Sequence, residues 1–63
     1  MLVKFTDFDS SKVIYVNSKF VYTLREDVEA NTKKTLTVIE LEGKQECRVA
    51  EPIEKVAKDL KCE

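Results

Sequence analysis

Sixty-three residues suffice for one domain, and folding hides only about 60% of the surface of a chain this short. A hydrophobic fraction of 43% with one Gly and one Pro excludes a low-complexity linker and points to a folded chain. Eleven basic residues against twelve acidic ones leave a net charge of −1, too little to draw in DNA or RNA through their phosphates.

Met1-Leu2-Val3-Lys4-Phe5 predicts a first strand over about 2–6, with Val3 and Phe5 on one face, and not the long apolar core of a signal peptide. Asp7-Phe8-Asp9-Ser10-Ser11 is a cluster of turn formers. A second strand, about 12–17, carries Val13-Ile14-Tyr15-Val16 and is apolar on both its Val13/Tyr15 and Ile14/Val16 faces. Such a pattern suits a central strand or one covered by a partner. After the break at Asn17-Ser18, Phe20, Tyr22 and Leu24 alternate with Val21 and Thr23. They predict a third strand, about 20–24, paired to the second as a hairpin.

Arg25 to Lys34 is polar and lacks an apolar stripe, so it reads as the longest loop, with a short helical turn accommodated over Glu26 to Ala30. Thr35 to Leu41, rich in β-branched residues, is the strongest strand signal, and about 35–41 is assigned to it. Glu42-Gly43-Lys44 is a compact turn in which the glycine supplies a positive φ. A fifth strand over about 45–49 returns, with Cys47 and Val49 facing in and Glu46 and Arg48 facing out.

The period then changes. Ile53, Val56, Ala57 and Leu60 fall at i, i+3, i+4 and i+7, the apolar stripe of a helix over about 52–61. Pro52 suits its first position, where a missing N–H costs nothing. Glu51 and Glu54 are placed to complement the positive end of the helix dipole, and Lys58 and Lys61 its negative end. Glu51/Lys55 and Glu54/Lys58 add i, i+4 pairs.

Residues that carry chemistry are scarce. Asp7-x-Asp9-x-Ser11 imitates the start of a calcium loop, but Lys12 and Ser18 stand where that loop needs Gly and Glu. The chain has no histidine, which removes the commonest general base and the usual partner of a nucleophilic Ser or Cys. Two distant cysteines without histidine make no zinc site, and one glycine makes no phosphate-cradling loop. No catalytic, metal-binding or cofactor-binding residue is therefore assigned, and the chain is not expected to be an enzyme. Cys47 reads as a small core hydrophobe and Cys62 as an exposed thiol, unpaired with each other. No apolar run reaches the roughly 18 residues of a membrane span, and a cytoplasmic location is expected.

Interaction with protein has positive support. The second strand is apolar on both faces, and Ile39 and Leu41 lie opposite Leu36 and Val38 in the fourth. One helix cannot cover both faces of such a sheet. Either the sheet curls into a partly open barrel or the uncovered face meets another chain. Val13, Tyr15, Ile39 and Leu41 are the candidate interaction surface, with a second copy in a homodimer or another protein as partner. Tyr15, Phe20, Tyr22, Phe5 and Phe8 would stack nucleic acid only inside a basic groove, and here the lysines are interleaved with acids.

Four segments carry a family resemblance: Val13-Ile14-Tyr15-Val16-Asn17; Phe20-Val21-Tyr22; Thr35-Leu36-Thr37-Val38-Ile39-Glu40-Leu41-Glu42-Gly43-Lys44; and Val49-Ala50-Glu51-Pro52-Ile53-Glu54-Lys55-Val56. In that order they resemble the small bacterial FlbD/SwrD-like motility proteins. That family shares a hydrophobic strand ending in Asn, a Thr-rich strand leading to a Gly turn and a Val-x-Glu lead-in to a short helix. Where the family has a Leu-Asn-Gly turn, this chain has Phe8-Asp9-Ser10. The resemblance implies a non-catalytic accessory protein linked to flagellar function, and it brings no catalytic residues. The expected fold is α+β: a small antiparallel sheet or partly open barrel of about five strands with one C-terminal helix. The expected role is that of an interaction module. A nucleic-acid-binding small barrel and a phage- or plasmid-borne inhibitor of a host protein are the alternatives.

Overall fold

Leu2–Thr6 (β1) and Val13–Asn17 (β2) form an antiparallel hairpin in the computed structural model, which describes residues 2–61. Asp7 builds the turn between them. Its carboxylate accepts from the Ser10 amide at 2.9 Å and the Ser10 hydroxyl at 2.8 Å, and Ser11 adopts a φ of 62°. Short polar side chains that bond nearby backbone in this way favour a turn over a continuing strand. Across the hairpin Val3 faces Val16 and Phe5 faces Ile14, and this face turns to the core.

The chain then departs from the expected hairpin of second and third strands. Asn17 caps a short 3-10 turn over Ser18–Phe20, its Oδ1 accepting from the Lys19 amide at 3.0 Å. That turn redirects Val21–Val28 (β3) away from β2. β3 pairs instead with Thr35–Leu41 (β4), which pairs in turn with Gln45–Val49 (β5), all antiparallel. The strand orders are β1-β2 and β3-β4-β5, and the sheet is not closed into a barrel.

β3 is also longer than its apolar alternation implies. Arg25, Glu26, Asp27 and Val28 stay in register with Val38, Thr37, Leu36 and Thr35, so Glu26 to Val28 is strand and not a helical turn. The polar loop shrinks to Glu29–Lys34, where the Glu29 carboxylate accepts from the Asn31 and Thr32 amides. A strong neighbouring strand decides the conformation of a polar segment that has no preference of its own.

The two sheets meet at one corner. Asp7 bridges to Val49, the Phe8 N–H donates to the Arg48 carbonyl at 2.8 Å, and the Ala50 N–H donates to the Thr6 carbonyl at 2.9 Å. Ile53–Lys61 (α1) packs on β3 and β4, and its Val56 and Leu60 join Phe5, Val16, Ile39 and Val49 in the core. Pro52 precedes the first turn and its carbonyl accepts from Val56 at 3.0 Å.

The Glu51 side chain reaches across to β1. Both its carboxylate oxygens accept from the Thr6 N–H at 3.0 Å, and its carbonyl accepts from the Thr37 hydroxyl at 2.8 Å. Thr37 is the one fully buried polar residue among those described, so this bond ties β1, β4 and the start of α1 together. Lys55 turns forward to Asp59 (2.8 Å) and not back to Glu51. Cys62 lies outside the described residues.

Candidate interaction surface

In β4, Leu36, Thr37, Val38 and Ile39 are all buried, so both faces of this strand are covered within the chain. Register places Leu36 and Val38 on the side that also carries Arg25, Asp27 and Arg48, away from the helix. Arg25 spans Glu40 (3.5 Å) and Glu46 (3.3 Å) there. The Arg48 guanidinium bonds Asp9 at 3.2 Å and stands 5.5 Å from the centroid of the Phe8 ring. Arginine stems cover apolar surface while their heads stay in water, so two arginines and the Phe8 turn close this face.

Two of the four candidate surface residues are therefore misplaced by the sequence pattern. Ile39 is fully buried and Leu41 half-buried, both packed toward the core, because their side of β4 is the one facing the hairpin and the helix. The other two lie together on the outer face of the β1–β2 hairpin. Val13 is 52% exposed and Tyr15 is 62% exposed. Leu2, 64% exposed, joins them, because register sets Leu2, Lys4 and Thr6 opposite Asn17, Tyr15 and Val13. Leu2 became legible as a surface residue only once β1 was known as the partner of β2. Among the described residues Lys4 is the single charge on that face.

Other features are less apolar. Tyr22 is 81% exposed, pushed out where the β3–β4 register shifts between Val21 and Thr23. It overhangs a groove of about 420 Å³ lined also by Glu40, Glu42, Lys44 and Glu46. Glu40 and Glu46 already serve Arg25. Cys47 is a free, half-buried thiol whose pKa is raised above its ordinary 9.0 by burial and then by the Asp7 charge. It is protonated at neutral pH, the less nucleophilic state. Among the described residues no group of His, Cys, Asp and Glu could hold a metal ion, and no helix is long and apolar enough to cross a membrane. Comparison with protein-family models, with curated proteins and with solved structures finds no match to this chain.

Proposed function

We propose that the chain is a non-enzymatic protein-interaction module whose contact surface is the outer face of the β1–β2 hairpin. The observation behind this is a contrast within one small domain. Leu2, Val13 and Tyr15 stand exposed on a nearly uncharged face of a chain that is 37% charged, while the other outer face is closed by arginines. Contiguous exposed apolar side chains, Tyr above all, are what protein contacts bury. The resemblance to FlbD/SwrD-like proteins supports the role of a cytoplasmic accessory protein in motility.

The test compares Tyr15→Glu with Tyr22→Glu, both at exposed positions, in affinity capture with quantitative mass spectrometry. A specific partner is expected to be lost with Tyr15→Glu and kept with Tyr22→Glu. Equal loss from both, with circular dichroism showing both folded, would remove the hairpin face from the contact. Nucleic acid is expected to bind no tighter than about 10⁻⁴ M at physiological salt. A micromolar, steeply salt-dependent complex in fluorescence anisotropy would replace the proposal with the small-barrel alternative.

A further inference from the structure

The hairpin register determines where the backbone groups of β2 point. The Asp7 N–H donates to the Lys12 carbonyl at 2.8 Å, so that pair is a hydrogen-bonded one. Bonded and non-bonded pairs alternate along an antiparallel ladder. Phe5/Ile14 and Val3/Val16 are therefore bonded, and Thr6/Val13 and Lys4/Tyr15 turn their groups away from each other. Thr6 fits this phase, since its N–H goes to Glu51 and its carbonyl accepts from Ala50. On β2 the same phase aims the N–H and C=O of Val13 and Tyr15 at the free edge, where no strand among the described residues pairs with them.

Among the described residues four strands have one ladder neighbour each; β1 and β5 meet at the corner between the sheets, whereas β2 and β3 do not, and these two are built differently. β3 carries a bulge at Tyr22 and the charged run Arg25-Glu26-Asp27, devices that keep other strands away. β2 reads Val-Ile-Tyr-Val-Asn, with no charge, no proline and no bulge in its ladder. We infer that β2 pairs antiparallel with β2 of a second copy, with Tyr15 on the two-fold axis. This rests on the hairpin reading of function and names the partner.

Tyr15 fits the axis because its outward N–H and C=O can each bond the same residue of the other copy. Val13 then faces Asn17, and Ile14 faces Val16 on the core side. Charges fit as well: β2 carries none over Val13–Asn17, so no like charges meet along the paired strands. The two Lys4 residues stand three strand spacings apart, about 14 Å, beyond the physiological screening length of about 8 Å. A five-residue seam is about 17 Å long and falls short of the roughly 800 Å² per partner of a standard interface, which sets the dimer in the weak, micromolar range.

The test is sedimentation equilibrium of the full chain under reducing conditions, up to about 1 mM, where a weak dimer is populated. The wild type is expected to dimerise. Tyr15→Glu and Tyr15→Lys are each expected to weaken the dimer at least tenfold, and their equimolar mixture to associate more tightly than either alone. Tyr15→Pro removes the outward-pointing donor, as edge strands tolerate, together with the Tyr ring, and is expected to be a folded monomer. A wild type that stays monomeric overturns self-pairing. So does a mixture no tighter than its components, or a Tyr15→Pro protein that still dimerises. If the wild type is monomeric and Tyr15→Glu still abolishes capture of another protein, self-pairing fails and the interaction face stands.

Discussion

β2 and β4 look alike in sequence, and the molecule treats them in opposite ways. Both carry apolar residues on each face. In β4 the face away from the helix carries Leu36 and Val38, both buried, with Arg25 and Arg48 flanking Val38 in register. In β2 the corresponding face leaves Val13 and Tyr15 in water. The difference is position in the sheet. β4 is central, and neighbours on both sides bring long side chains over it, whereas β2 has one neighbour, β1, which offers only Leu2, Lys4 and Thr6. Apolarity on both faces thus marks either a covered strand or a contact strand, and the neighbours decide which.

The comparison breaks first at Leu36. If the outer face of β4 is a true interior, Leu36→Ala should cost about 2–4 kcal/mol in urea denaturation. Tyr15→Ala, removing a similarly apolar side chain from the hairpin face, should change the stability of the monomer by less than about 0.5 kcal/mol. Equal costs would mean that both faces are interior or both are surface.

Thr37→Val sharpens the point on the core side of the same strand. The substitution keeps the shape but removes the hydroxyl that donates to the Glu51 carbonyl, leaving a part-buried acceptor unpaired. A loss of about 1–3 kcal/mol is expected, together with faster amide exchange at Thr6, whose N–H depends on the carboxylate of the same Glu51. Unchanged exchange at Thr6 would show that the knot is two independent bonds.

These cases show how far the sequence could be read. The five strands, the terminal helix and its Val56/Leu60 stripe follow from periodicity, because each depends on residues close in the chain. Strand pairing does not. Asn17 looked like a hairpin turn and serves instead as the cap of a 3-10 turn that sends β3 elsewhere. Arg25 to Val28 looked like loop because its strand character comes from β4. Of the candidate surface residues Val13 and Tyr15 are exposed and Ile39 is buried, and no local pattern shows which side of β4 the helix will choose.

Arg48 tests how the closed face is closed. Arg48→Ala should cost about 1 kcal/mol, and Arg48→Met, which keeps an apolar stem, less than half of that. Equal losses would assign the cover to the Asp9 ion pair and the Phe8 ring and not to the stem.

The smallest effect separates the two regions by pH. Asp7 and Glu29 sit on the turn and loop beside the closed face, and both carboxyls are held below their ordinary values of 3.8 and 4.5. For Asp7 the first cause is the Ser10 hydroxyl, followed by the Ser10 amide; for Glu29 it is the Thr32 amide, followed by that of Asn31. A carboxyl with a depressed folded pKa contributes stability above its unfolded pKa and loses it as pH falls through the folded one. The two loops should therefore hold unchanged from neutral pH to near 4.5 and loosen only below it. Amide shifts of Ser10 and Thr32, followed by NMR, should titrate with midpoints below 3.8 and 4.5 respectively. β2 contains no carboxylate, so its outward Val13 and Tyr15 amides, and any dimer built on Tyr15, should be indifferent to the same acid range, unlike the Thr6 amide of β1, which bonds the Glu51 carboxylate. Loop amides titrating at or above the ordinary values would sink the bonding pattern given to Asp7 and Glu29. A dimer that dissociates in step with those amides would mean that the contact draws on the charged region and not on the neutral edge of β2.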